Sequence, residues 1–297
     1  MEKVVECVPN FSEGRRKDVI DAIIDEISSV QGIQVWDCLP DRDHNRTVVT
    51  FVGSPEQVKE AAIKSALKAT QLIDMRGHKG EHPRVGAIDV IPFVPLKGVS
   101  IEECVEIAQD VARILSEKLS MPTFLYGEAA MKQEMKNLAT VQAIQYEGMF
   151  EKIKEEGYEP GFGPRKMHQK YGASIVGVRQ ILVAFNVNLG TDDISIAKNI
   201  AKEVRESSGG LKNVKAMGVR LKEKNIVQVS MDVVDYKKTP LYKPYELIKA
   251  EARRYGISVV GSELIGLVPT DALINAADYY LKLYDFSEEQ LIEKQLY

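Results

Sequence analysis

The chain holds four histidines, His44, His78, His82 and His168, and two of them share one run, Arg76-Gly77-His78-Lys79-Gly80-Glu81-His82-Pro83-Arg84. Imidazole titrates closer to neutrality than other side chains, so a His in such a run can give and take a proton during a reaction. His78 to His82 also spells H-x-x-E-H, a zinc pattern that works when a helix sets both rings on one face. Gly77 and Gly80 weaken a helix there, and Pro83 biases His82 away from helical torsions. No metal site is expected. On residue chemistry alone two readings stay open, a solvated loop with incidental histidines or a catalytic loop.

A second run, Gly163-Pro164-Arg165-Lys166-Met167-His168-Gln169-Lys170-Tyr171-Gly172, places cations between glycines. It reads either as a solvated basic loop or as a clamp for an anion, the glycines letting backbone approach a flat ligand. Asn10, Asn45, Asn186 and Asn188 fall where strands are expected to end, as does Glu128 in Tyr126-Gly127-Glu128. Each is a candidate site residue or a turn residue satisfying local backbone. No glycine-rich phosphate loop, serine nucleophile elbow or dinucleotide fingerprint is present.

The elements that must carry these residues alternate strand and helix. Lys3 to Pro9 reads as a strand, Asn10 to Gly14 as a turn, Arg15 to Ser28 as an amphipathic helix, and 33–39 and 46–52 as a strand pair around the loop 40–45. Ser54-Pro55-Glu56-Gln57 and Ser100 to Glu103 each have the composition of a capping box opening a helix. Between those helices 87–94 reads as a strand ending at Pro95. The second half repeats the order. A strand over 180–189 ends in Asn186-Val187-Asn188, and a helix runs from Thr191 to Gly209. Strands 214–221 and 226–234 are joined by Lys222-Glu223-Lys224-Asn225, and helix 244–255 leads to a strand over 257–260. The expected fold is α/β (α+β), two similar ferredoxin-like βαββαβ subdomains, residues 1–179 and 180–297, packed with a cleft between them. The stretch from Glu128 to Gly172 lies outside the repeat and holds a helical segment, 138–156, before the basic loop.

Composition narrows the partners. At 297 residues and 44% hydrophobic the chain can bury two cores. A net charge of -4 disfavours a nucleic-acid coat while permitting a local basic pocket. No run approaches the roughly 18 apolar residues of a membrane span, and the opening residues lack the features of a secretory signal. Cys7, Cys38 and Cys104 are far apart and read as reduced, partly buried side chains. The expectation is a cytoplasmic protein of small-molecule partners, without nucleic acid or membrane, and with a homodimer as the candidate assembly.

Several motifs together resemble the glutamate formimidoyltransferase family: Val5-Glu6-Cys7-Val8-Pro9-Asn10-Phe11-Ser12-Glu13-Gly14, Asn45-Arg46-Thr47, Lys79-Gly80-Glu81-His82-Pro83-Arg84, Leu125-Tyr126-Gly127-Glu128-Ala129-Ala130, Phe162-Gly163-Pro164, Ala184-Phe185-Asn186, and Gly261-Ser262 with Gly266-Leu267-Val268-Pro269. The match runs from residue 4 to about 280. The resemblance implies two similar α/β subdomains and transfer of a formimidoyl group between N-formimidoyl-L-glutamate and tetrahydrofolate, the folate being a co-substrate. It also implies that His82 occupies the catalytic position and that Gly163 to Gly172 contact folate. Glu81, Arg84 and Asn45 become candidates to orient His82. Arg46, Arg165, Lys166 and Lys170 become candidates to anchor the glutamate carboxylates. A related formyltransferase or 5-formyltetrahydrofolate-consuming enzyme, and a non-catalytic folate-binding protein, are the alternatives.

Overall fold

The computed structural model describes residues 3–221 and 224–296. Lys222 and Glu223 of the expected connector, with Met1, Glu2 and Tyr297, lie outside the described residues. The chain divides into two compact units, Met1–Arg179 and Gln180–Tyr297.

The first unit opens with β1 (Val4–Cys7) and β2 (Asn10–Phe11), separated by Val8-Pro9. Asn10 and Phe11 were expected in a turn. Instead they continue the same path through the sheet, because both short strands pair with β4 on one side and β5 on the other. Helix α1 (Lys17–Ser28), the hairpin β3 (Gln34–Asp41) and β4 (Arg46–Gly53), α2 (Pro55–Leu72) and β5 (Ile88–Lys97) complete the βαββαβ order. Gln57 accepts from the Ser54 amide at the start of α2. Strand β5 passes through Pro92 and Pro95 instead of stopping, since β1 pairs with it as far as Lys97 across a register shift. Residues Val5, Cys7, Val49 and Phe51 face α1 and α2 in one core, an alternation of period two against helices of period 3.6.

The sheet then grows by two strands. Helix α3 (Ile101–Leu119), capped by the Ser100 hydroxyl on the Glu103 amide, crosses to β6 (Thr123–Gly127), and β7 (Ser174–Val178) slots between β5 and β6, parallel to both. The order is β3-β4-β1/β2-β5-β7-β6. Parallel neighbours need long crossovers, and residues 128–173 supply the one from β6 to β7. The helix expected over 138–156 is two short ones, α4 (Leu138–Gln142) and α5 (Gln145–Lys152), broken where Gln145 takes a left-handed φ of 60°.

The second unit comprises β8 (Val183–Leu189), α6 (Ile194–Val204), β9 (Val214–Leu221), β10 (Ile226–Val233), α7 (Tyr242–Arg254) and β11 (Val259–Ile265). Its antiparallel sheet has the order β11-β8-β10-β9, the ferredoxin-like arrangement also found in β1 to β5 of the other unit, where β1 and β2 share one position. Two further helices, α8 (Thr270–Leu281) and α9 (Ile292–Leu296), follow. Asn186 and Asn188 lie inside β8 and not at its end. The Asn186 Oδ1 accepts from the Met231 amide at 3.3 Å, and Asn188 bonds to Gln228 and Glu263. Their amides are used within the sheet.

Candidate active site

The histidine run is an irregular loop from Arg76 to Arg84, so His78 and His82 do not share a helix face. It is held by the β3–β4 turn. The Glu81 amide donates to the Asp43 carbonyl at 3.2 Å, and Asn45 Nδ2 donates to the Lys79 carbonyl at 3.0 Å. Asn45 Oδ1 accepts from the Gly14 amide at 3.0 Å, so this 8% exposed side chain clasps three segments. Asn45 itself adopts a left-handed φ of 48°, tolerable for Asn. Gly80 allows the approach: a Cβ there would fall 2.1 Å from the His44 carbonyl oxygen.

Within this frame Arg46, the first residue of β4, donates from Nη1 to His82 Nε2 at 2.6 Å. Accepting that bond requires the neutral ring. Burial first and the Arg46 charge second lower the His82 pKa from 6.5 to about 4, partly opposed by the Pro83 backbone. A His titrating near neutrality was expected; in this arrangement the His82 ring is held neutral. His44 packs edge-on against His82, ring centroids 5.9 Å apart, and its Nδ1 bonds Asp41 Oδ2 at 2.6 Å. Burial opposes ionisation of Asp41, yet hydrogen bonds from the His44 amide and ring and the Asp43 amide outweigh it and lower its pKa.

Other sequence candidates make other contacts. Arg84 does not orient His82. Its guanidinium, nearly buried, forks onto Glu147 at 2.7 and 2.9 Å and donates Nε to His78 Nδ1 at 3.2 Å. His78 then donates Nε2 to the Asn45 carbonyl at 3.0 Å, and burial lowers its pKa. Both imidazoles of the zinc-like pattern are thus committed to protein partners. The Glu81 and Glu128 side chains are exposed and bond to nothing among the described residues. Asn10 Nδ2 donates to the Val8 carbonyl at 3.0 Å, a local backbone role.

Ser12, His44, Asn45, Arg46, His78, His82, Arg84 and Asp89 line one tight recess. His44 and His78 stood among the four histidines without an assigned role, and Ser12 and Asp89 were not singled out as site residues. Asp89 did carry a signal, a lone carboxylate in the apolar run 87–94.

The basic loop adjoins the histidine loop. The Met75 amide donates to the Lys170 carbonyl at 2.7 Å, and Ala87 donates to the Tyr171 carbonyl at 2.9 Å. Arg76, Ser120, Pro164, Lys166, Met167, His168, Gln169 and Lys170 line a larger cavity of about 550 Å³. Of the four expected anchors three lie in this loop, and two of those are otherwise engaged. Arg165 donates to the carbonyls of Ile153, Lys154 and Glu155, just past α5, at 2.6–2.9 Å. Lys170 Nζ donates to the Gln71 carbonyl at 2.8 Å, in the last turn of α2. Cations there satisfy orphan carbonyls and complement the helix dipole. Lys166 is exposed and unpaired among the described residues. His168 stacks on Tyr171 with centroids 3.4 Å apart, while Met167 is buried. Gly172, at φ 74°, brings backbone where a Cβ would lie 2.3 Å from the Val85 carbonyl oxygen.

Comparison with known proteins bears on this arrangement. Residues 4–179 match the formiminotransferase domain, N-terminal subdomain, and residues 184–296 match the formiminotransferase domain. The chain is 49% identical over 297 residues to a glutamate formimidoyltransferase of Streptococcus pyogenes serotype M1, covering 100% of this chain and 99% of that one. It is 47% identical to a glutamate formimidoyltransferase of Thermoplasma acidophilum, covering 99% and 97% respectively. A formimidoyltransferase-cyclodeaminase of Rattus norvegicus is 45% identical, with 98% of this chain and 56% of that one covered. The chain belongs to the formiminotransferase family.

Proposed function

We propose that this protein is a glutamate formimidoyltransferase, moving the formimidoyl group between N-formimidoyl-L-glutamate and tetrahydrofolate, with His82 as general base. The full-length likeness to enzymes of that name supports the reaction. The observation that carries the residue assignment is the neutral imidazole of His82 bonded to Arg46 at 2.6 Å.

Transfer requires a folate amine to attack the formimidoyl carbon, a tetrahedral intermediate to form, and the glutamate amine to leave. One nitrogen loses a proton and the other gains one. A positioned imidazole serves both steps, a contribution of about 10²–10⁴-fold. In the structure Nε2 is occupied by Arg46. A glutamate carboxylate competes for that guanidinium, a bidentate partner better suited to it than a ring nitrogen. Its binding therefore frees Nε2 for the proton and weakens the charge that depresses the ring's basicity. Substrate binding and activation of the base are one event.

The cavity beside Gly163 to Gly172 is the folate-binding region in this reading. Lys166 and Arg76 supply positive charge at its edge, and Lys170 and Arg165 brace the loop that forms it. The test is incubation of the pure protein with tetrahydrofolate and either N-formimidoyl- or N-formyl-L-glutamate, following the folate product by absorbance. Turnover with the formimidoyl donor supports the proposal. Preference for the formyl donor points to a formyltransferase, and folate binding without turnover to a binding protein.

A further inference from the structure

Asp89 is the second residue of β5, a run otherwise apolar from Ile88 to Val94, and it is 1% exposed. A carboxylate is costly to bury unless its oxygens are bonded and its charge is balanced. Here Oδ1 accepts from the Val85 amide at 2.7 Å, and Oδ2 accepts from Gln142 Nε2 of α4. Neither donor is a cation. The balancing charges are Arg46 from β4 and Arg84 from the histidine loop. Those two guanidiniums donate to His82 and His78, and Asp89 is the one carboxylate among the side chains lining the recess. The other titratable groups around it are engaged separately. Glu147 of α5 holds Arg84, Asp41 holds His44, and Glu13 accepts from Arg15 and Arg16.

We infer that Asp89 is a positioning residue for the transfer reaction, its charge acting across the shared recess on Arg46 and Arg84 and, through them, on the two imidazoles. The inference rests on the transferase reading. Burial pushes the Asp89 pKa from 3.8 up to about 6, against the bonds from Val85 and Gln142 and the two arginine charges. A carboxyl raised above its unfolded value contributes stability below pH 3.8, and that contribution is lost as pH rises through about 6. The ionised form present at neutral pH therefore works against stability. A side chain serving only the fold would do as well or better as an amide.

The experiment compares wild type with Asp89→Asn, measuring kcat/KM from pH 5 to 8.5 together with thermal melting. Asp89→Asn should melt at an equal or higher temperature at pH 7.5 while losing activity by about 10²-fold, the effect of a misplaced catalytic group. The wild-type to variant ratio should be constant above pH 7 and fall about tenfold per pH unit below 6, as the wild-type carboxyl protonates. Ionisations of the substrates cancel in that ratio. Gln142→Leu removes a bond that lowers the Asp89 pKa while leaving its charge, so its break should move to higher pH. A ratio independent of pH, Asp89→Asn activity within threefold of wild type at pH 7.5, or activity loss in step with a lower melting temperature would overturn the inference. In each of these cases wild type still turns over. A wild type inactive on both donors would overturn the transferase reading as well.

Discussion

Replacing Arg46 by Gln tests the proposed base directly. In the wild type, burial and then the Arg46 charge bring His82 from 6.5 to about 4. That drop corresponds to at most roughly 3 kcal/mol against the imidazolium, less for the edge of the ring open to solvent. At pH 7 about one molecule in a thousand then carries His82 protonated. A neighbouring charge moves a pKa by about 1–3, whereas burial, the larger cause here, survives the substitution. The His82 pKa in Arg46→Gln should therefore rise and remain below the ordinary histidine value. Long-range proton–nitrogen NMR reads this, with His82 assigned by the loss of its signals in His82→Gln. Its stability consequence has a definite sign. A histidine depressed on folding contributes fully above pH 6.5 and loses that contribution as pH falls towards 4. Acid destabilisation between those limits should be shallower in Arg46→Gln. A wild-type His82 titrating at 6 or above, or a ring unmoved by the substitution, would refute the reasoning.

Other substitutions probe the rest of the site. His82→Gln should lower kcat by at least about 10²-fold with an unchanged circular dichroism spectrum, the loss expected of a general acid–base group; activity within threefold of wild type would remove it from the mechanism. Gly80→Ala places a Cβ 2.1 Å from the His44 carbonyl, so the loop must shift. Steady-state rates should fall by about 10²-fold, for a stability loss of about 1–3 kcal/mol seen in denaturant melts. Lys166→Gln should raise KM for polyglutamyl tetrahydrofolate more than for the monoglutamate, with kcat nearly unchanged and the difference fading at high salt. The triple replacement of Arg165, Lys166 and Lys170 should in addition lower the melting temperature, because two of those cations hold helix-end carbonyls.

Much of the architecture was legible in the sequence because it depends on local rules. The capping compositions at Ser54 and Ser100, the apolar spacing of α2 and α3 and the alternation of β10 act within a few residues of the chain. The glycines and proline of the histidine loop likewise ruled out a helix through local torsions alone. Long-range pairing determined what those rules could not reach. Asn10 became strand because β4 and β5 lie on either side of it, and Pro95 failed to stop β5 because β1 continues alongside. The two added strands depend on a crossover of 46 residues whose ends meet only in the folded sheet.

The site divides in the same way. Residue types and a family resemblance pointed to His82 and to the basic loop. Tertiary contacts assigned the partners: Arg46 to His82, Arg84 to His78 and Glu147, and Arg165 and Lys170 to helix ends. A sequence names charges but not their distances, and charge–charge energies depend on distance and on the surrounding dielectric. Composition therefore determined which chemistry was available to this protein, while burial and proximity decided that the His82 ring is held neutral, that Lys166 alone of the loop's Lys and Arg side chains bonds to nothing among the described residues, and that Asp89 shares a recess with His82.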